Sequence, residues 1–542
     1  MQLSSMVSTR STQINISTNM DDKVSDASQH NEKSDQGGAA DRSVPAVVWS
    51  LPKERRPDPW GPGHRKLYLM CGLVYLCSTM NGYDGSLMGS INAVPEYQEY
   101  YSLGPNGATS TGLVFSIFQI GQMVAALFIW LADWRGRRLA IFVGCFGVII
   151  ATIIASVAPN LSTFIGGRFL LSYCAMIAYT SAPLYLVEIA PPLYRGTVAG
   201  IYNTLYYMGS IIATFAVYGA NLHLPGNLKW RLPLWLQMLC PAFVCMGILF
   251  VPESPRWLVS KGRHDEARKI LIEYHANGDP THPIVDIEMS EIEGSLADQG
   301  MTSLRNYFDL RVLVKSPARR YRLLLVITFA WFGQFSGNNI ASYYLPMMLN
   351  NVGITTTNLV LLMNAIYAVI GWIFAASGAR FHDVWGRRKM LMGSCAGMAV
   401  CLAVVAGTAA KYEQSGSTRA SAASIAFIFI FGAVFAFSFT PMQPIYPAEV
   451  LSNDMRAKGM MVFAIASGCA GFVNTFAAPE ALKNIRYWFY VFFVFWDIFE
   501  CAVIYLFYVE TKGRTLEELD DVFNSSSPKK ASLVKPNTTG LA

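Results

Sequence analysis

Tyr321-Arg-Leu-Leu-Leu-Val-Ile-Thr-Phe-Ala-Trp-Phe332 is an apolar run that turns polar at Gln334-Phe335-Ser336-Gly337-Asn338-Asn339, then becomes apolar and aromatic again through Tyr343, Tyr344 and Pro346. At a rise of ~1.5 Å per residue, the stretch from Tyr321 to Leu349 is long enough to cross a bilayer. Amides at mid-depth are costly against lipid, so they face other helices or a wet cavity. Gln334 and Asn338 are four apart and fall on one helical face, with Asn339 beside them. Uncharged amides both donate and accept, which suits a ligand made of hydroxyl groups. Gly337 permits close approach or local unwinding. A single amide would read as glue between helices; a cluster favours ligand contact.

The same alternation of apolar runs and polar breaks governs the whole chain. It has 542 residues, 53% hydrophobic and 14% charged, where soluble domains carry about 25% charge. The deficit lies in repeated apolar runs of membrane length, so the chain is an all-α polytopic membrane protein in the lipid bilayer. A net charge of +6 reads as topology signal and not as a nucleic-acid surface. Ten cysteines are scattered through apolar runs without metal-ligand spacing, and read as small core residues. There is no HExxH, Walker loop or GxSxG, so neither an enzyme, an ATP engine, a metal nor a cofactor is expected. His223 and the other six histidines lie in loops or helix ends and read as solvated.

Twelve spans can be drawn, at 67–91, 109–131, 139–158, 162–188, 197–219 and 231–251, then 321–349, 357–380, 388–409, 421–447, 456–479 and 486–508. Residues 1–64 are polar and without period, and are expected to be a disordered tail. The six-helix units then occupy 65–251 and 321–508. Between them 252–320 is charged, with helical apolar spacing at His264–His275 and Ile287–Ala297. A second polar tail is expected over 509–542. With both tails inside, short inner loops hold nine Lys and Arg: Arg135, Arg137, Arg138, Arg195, Arg387, Arg388, Lys389, Arg456 and Lys458. The outer side holds six, at Lys229, Arg231, Lys411, Arg419, Lys483 and Arg486. The excess predicts cytoplasmic termini.

Three charged signatures recur in both halves. Asp133-Trp-Arg-Gly-Arg137-Arg138 follows span two and Asp383-Val-Trp-Gly-Arg387-Arg388 follows span eight, at an offset of 250. Glu188 to Arg195 follows span four and Glu449 to Arg456 follows span ten, at an offset of 261. Glu253-Ser-Pro-Arg256 closes span six and Glu510-Thr-Lys-Gly closes span twelve, at an offset of 257. Order and spacing indicate a duplicated six-helix unit. Acids and arginines at helix ends predict an ion-pair lattice that breaks when the inner face opens.

These motifs, together with Gly167-Arg168-Phe169, Pro252-Glu-Ser-Pro-Arg-Trp-Leu and Glu510-Thr-Lys-Gly-Arg-Thr-Leu-Glu-Glu, resemble the sugar porter family of the major facilitator superfamily over residues 65–520. Gly82-Tyr-Asp-Gly-Ser-Leu-Met, Gly200-Ile-Tyr-Asn-Thr-Leu-Tyr and Ala466-Ser-Gly-Cys-Ala-Gly-Phe resemble the fungal lactose permease-like subgroup. The resemblance implies a monomer of twelve transmembrane helices, the major facilitator fold with two pseudo-repeats and a helical linker, working by alternating access. It implies that Gln334 and Asn339 bind sugar hydroxyls, with Tyr343 and Tyr344 nearby and Asn203 where the family has a glutamine. Small residues stand at several positions where the family has larger ones: Gly333, Gly371, Pro444, Ser467 and Gly468. They predict a roomier site suited to a disaccharide.

Asp84 sits far from either end of span one, and an ionisable group there is functional by default. Arg168 in span four is its expected partner, and cycling between paired and unpaired states couples protonation to conformation. The alternative is a static pair holding two helices. The expectation is a plasma-membrane sugar transporter, a proton-coupled importer of a disaccharide or hexose. The rivals are a facilitative hexose, polyol or glycoside carrier and a non-transporting sugar sensor; the short tail after Glu510 favours transport.

Overall fold

A computed structural model describes residues 58–103, 109–191, 195–297, 309–452, 455–514 and 516–534. Among these, eight helices are long and apolar enough to cross a membrane: spans three, four, six and eight to twelve. Spans one, two, five and seven complete the twelve. These four carry polar residues: Asp84 and Ser90, Gln119 and Gln122, Asn203, and the amide cluster.

The first six spans are Pro62–Ile91, Thr109–Ala126, Arg137–Val157, Leu161–Ile189, Arg195–His223 and Leu228–Ile248. The second six begin with span seven in two pieces, Pro317–Phe335 and Asn338–Asn351. Thr357–Trp385, Arg387–Ser415, Thr418–Val450, Arg456–Asn484 and Trp488–Phe507 follow. Most helices run past the apolar stretch that predicts them, because the first and last turns sit among headgroups and keep helical geometry without being apolar.

Packing repeats between halves. Span three lies on four, one on five, two on four and three on six; nine lies on ten, seven on eleven, eight on ten and nine on twelve. The bundles meet through spans two and eleven and through five and eight, pairs that exchange under the pseudo-twofold. Cross-bundle contacts run from mid-depth to the face away from the linker. There Asn364 Nδ2 donates to Ser90 Oγ at 2.7 Å, Asn221 Nδ2 donates to Asn358 Oδ1 at 2.6 Å, and Phe115 packs on Tyr343 and Tyr344 at 5.2 and 5.1 Å. The molecule is therefore closed on that far face.

The linker forms helices at Pro255–Ser260, His264–Tyr274, Pro283–Ala297 and Arg311–Val314. The first three share a small apolar core of Leu258, Ala267, Leu271, Ile284, Val285 and Met289 and fold as a unit against the bundle ends, while Leu313 of the fourth is buried in the large bundle core. Both expected tails need correction where they are described. The helix of span one starts at Pro62, where Gly63 and His64 bury themselves against Asn277. Leu516–Asn524 and Pro528–Leu533 are helical, with Leu519, Val522 and Phe523 buried. Arg322 pairs with Asp520 and stacks on Phe523 at 4.3 Å. That segment carries an apolar stripe the polar composition conceals. Residues 1–57 and 535–542 lie outside the described residues.

Candidate functional site

Span seven does not pass through its amide cluster as one helix. It stops at Phe335 and restarts at Asn338, with Gly337 at φ +89°. A side chain at that φ carries strain, so glycine is what permits the break. The expected i, i+4 face of Gln334 and Asn338 is therefore not formed. The turn instead brings Asn339 onto Gln334, its Nδ2 donating to Oε1 at 3.0 Å. Asn474 of span eleven donates to the Gln334 carbonyl at 2.8 Å, taking one of the carbonyls that the break frees. Tyr344 donates to the Thr475 carbonyl at 2.7 Å, and Tyr343 is half-buried against Phe115. Gln334, Asn338 and Asn203 are half-buried and Asn339 buried. Ser336 Oγ and Asn474 Oδ1 are buried beside the break without a partner among the described residues. Buried polar atoms are normally satisfied, so this corner holds unmet hydrogen-bonding capacity.

The expectation of extra room fails at three of its positions. A Cβ on Gly333 would lie 2.9 Å from Gln443 Nε2, one on Gly371 2.6 Å from Tyr207 Cε1, and one on Gly468 2.2 Å from Met123 Cγ. The space left by each small residue is filled by a long side chain from a neighbouring span. Volume is conserved by exchange between helices, which single positions do not reveal. The side chain of Pro444 lies outside the described residues.

Asp84 and Arg168 meet as expected, Oδ1 to Nη1 at 2.5 Å, with side chains 1% and 2% exposed. A third group joins them: Gln237 Nε2 donates to the same Oδ1 at 2.7 Å. Gln237 sits where span six breaks between Leu228–Leu236 and Leu239–Ile248. Its signal in the sequence is a lone amide in an apolar run. Asp84 Oδ2 has no partner among the described residues, and the Arg168 guanidinium lies 5.1 Å over the Phe118 ring.

The repeated charged motifs build the same corner twice. Glu253 accepts from the backbone amides of Arg137 and Arg138 at 3.1 and 3.3 Å; Glu510 does so from Arg387 and Arg388 at 2.9 and 3.1 Å. Each carboxylate thus sits on a helix N-terminus, where dipole and free amides favour an anion. Gly136 and Gly386, at φ +102° and +92°, leave the space: a Cβ would fall 2.3 and 2.6 Å from the glutamate oxygens. Arg137 pairs with Glu188 at 2.8 Å and Asp133 at 3.0 Å, and Arg387 with Glu449 at 2.8 Å. Ser254 and Thr511 donate to Glu188 and Glu449, both at 2.6 Å. Tyr185 and Tyr446 donate to the carbonyls of Pro252 and Val509. Burial raises the Glu253 carboxyl above its ordinary value against the opposing backbone bonds.

Each of these lattices closes on its own bundle, so it need not break when the bundles part. Arg456 does not pair with Glu449; it donates to the Leu451 carbonyl at 3.4 Å. The side chains of Arg195 and Asp383 lie outside the described residues.

Two buried acids escape the motif reading altogether. Asp497 and Glu500 of span twelve are both fully buried. Glu500 accepts from Trp496 Nε1 at 2.5 Å, and Trp496 packs edge-on against Phe335 at 5.2 Å. Both Asp497 oxygens lack a partner among the described residues. Their signal was two acids in an otherwise apolar run. The histidine expectation also fails in part: His64, His275 and His382 are buried.

Over residues 70–523 the chain matches the family model described as sugar (and other) transporter. It is 26% identical over 502 residues to a quinate permease of Neurospora africana, covering 89% of this chain and 93% of that one. It is 27% identical over 486 residues to the MFS glucose transporter mfs1 of Aspergillus flavus, covering 85% and 90%. Among solved structures it is similar to a partially occluded inward-open conformation of the xylose transporter XylE from E. coli, with a TM-score of 0.68 at 20% identity over 83% of this chain and 99% of that one. The fold, the duplicated corners and the match across most of the sequence agree: this chain belongs to the sugar (and other) transporter family.

Proposed function

We propose that this protein carries a neutral, hydroxyl-rich substrate of sugar type across the plasma membrane by alternating access, with the linker face cytoplasmic. The observation that carries the reading is the break in span seven, where Gln334 and Asn339 meet beside Ser336 Oγ and Asn474 Oδ1, which have no partner among the described residues. Amide and hydroxyl groups recognise hydroxyls in both donor and acceptor senses. Because neighbouring side chains fill the positions of Gly333, Gly371 and Gly468, a hexose fits this reading better than a disaccharide. A carboxylate-bearing polyol, as in the name of the quinate permeases, is the second reading; it would need a cation, and Arg168 is already held by Asp84.

The second half of the proposal is proton coupling through Asp84. Asp84, Arg168 and Gln237 all lie in the first bundle and move with it, so the triad stays paired; Oδ2, which has no partner among the described residues, takes up the proton as bundle movement opens the site to one side of the membrane and then the other. The duplicated corners serve to stiffen each bundle so that it rocks as one body. Uptake of labelled glucose, lactose, cellobiose and quinate by transporter-null cells, with and without a protonophore, tests both halves. Saturable hexose uptake that collapses with the protonophore supports them. Quinate uptake alone overturns the substrate reading, and protonophore-insensitive accumulation overturns the coupling.

A further inference from the structure

His275 is 1% exposed and Glu288 3% exposed, an ionisable pair enclosed where the linker meets the end of span four. His275 Nδ1 lies 2.7 Å from Glu288 Oε2, and Nε2 lies 3.0 Å from the Ile189 carbonyl oxygen. A carbonyl oxygen only accepts, so Nε2 must carry hydrogen. The Nδ1 to Oε2 contact then needs a proton as well, whichever atom holds it. A neutral ring facing a carboxylate would set two acceptors against each other on one side or the other. The arrangement therefore contains one proton more than neutral histidine plus carboxylate. Glu288 Oε1 is buried without a partner among the described residues, so that proton is the main compensation for a carboxylate removed from water.

The contact joins three elements. His275 follows linker helix His264–Tyr274, Glu288 lies on linker helix Pro283–Ala297, and Ile189 ends span four beside Glu188. The start of span one completes the enclosure: His64 Nδ1 contacts Asn277 Oδ1 at 3.2 Å. The other charged groups nearby are engaged elsewhere. Glu188 binds Arg137 and Ser254, Lys66 pairs with Glu273 at 3.0 Å, and Arg268 pairs with Asp286 at 2.6 Å. Asp58 acts on His64 from the segment before span one. On its other side the linker reaches the second bundle, where Lys458 Nζ donates to the Asp309 carbonyl at 2.9 Å.

We propose that His275 and Glu288 form a cytoplasmic proton-binding latch, which fastens the linker to the end of span four while the shared proton is present. Proton binding and docking reinforce each other. An acid cytosol keeps the linker fastened; as pH rises past the point where the latch loses its proton, the linker loosens. The side of the membrane rests on the orientation proposed above, but the latch itself does not depend on the substrate.

Glu288→Gln separates a proton latch from a merely structural contact. The Gln amide donates to Nδ1 of a neutral ring, so every bond is made without the extra proton. The test is hydrogen exchange of helix Pro283–Ala297 in the purified full chain between acid and alkaline pH, corrected for the chemical pH dependence of exchange. Wild-type protection is expected to fall by up to roughly tenfold per pH unit over the range where the undocked residues have lost the shared proton and the docked pair still holds it, and to level off above it, while Glu288→Gln stays protected and flat. His275→Ala is expected to be unprotected throughout. A flat wild-type profile, or the same slope in Glu288→Gln as in wild type, overturns the latch. Because the readout is independent of transport, its failure is distinct from failure of the transport reading.

Discussion

Asp84 has one carboxylate oxygen engaged twice, by Arg168 and Gln237, and one oxygen with no partner among the described residues. That asymmetry leaves a site for a proton without dismantling the pair. Asp84→Asn is expected to abolish accumulation against a gradient while exchange of labelled sugar continues; undiminished uphill uptake would refute coupling. Gln334→Ala with Asn339→Ala removes the amides at the break, and saturable uptake is expected to fall at least about tenfold, each lost hydrogen bond being worth about 1 kcal/mol. Unchanged, competable flux in a chain that still reaches the membrane would return these amides to helix glue. Asp497 makes a different case, since neither of its oxygens has a hydrogen-bond partner among the described residues. Asp497→Leu is expected to raise stability in detergent by about 1–3 kcal/mol, the cost of an unsatisfied buried polar group. A drop in melting temperature would show that the carboxyl is used.

At the scale of the element, the decisive feature is that span seven is two helices joined at Ser336–Gly337. Around Gly337 the nearest atoms to an added Cβ are 3.4 Å away, on Phe431. Gly337→Ala therefore meets backbone strain with little steric clash. The expected cost is roughly 1–2 kcal/mol, seen as severalfold slower turnover with normal expression; wild-type kinetics would mean the break is not needed. The polar cluster and its glycine were legible in the sequence, and so was the possibility of unwinding. The register across the break was not, because periodicity assumes a continuous helix and so pairs Gln334 with Asn338, where the turn delivers Asn339. Gln237 stood out only as a lone amide in an apolar run flanked by Pro233 and Pro241, and that pattern does not say that it meets Asp84.

For the whole molecule, apolar length, the linker and the twofold repetition of charged motifs were enough to read twelve spans in two related bundles. What the motifs do was harder to see. Residue types at helix ends predict ion pairs, but only the packing of three on four and nine on ten decides that Arg137 and Arg387 find acids within their own bundle. Under the proposed alternating access, the contacts that part lie instead on the far face, in uncharged pairs such as Ser90 with Asn364. Ser90→Cys with Asn364→Cys, in a chain lacking the exposed Cys469, is expected to halt exchange on oxidation and recover it with reductant. Continued exchange under oxidation would show that this face does not open.

The duplicated corner also bears on how the protein is made. Glu253 completes the first corner using only residues up to Ser254, all of which leave the ribosome before any of the second bundle is synthesised. The amino-terminal half can thus lock its helix ends during translation, and the later half can repeat the step on its own. Two separately encoded polypeptides, divided within the linker, should accordingly assemble into one working carrier.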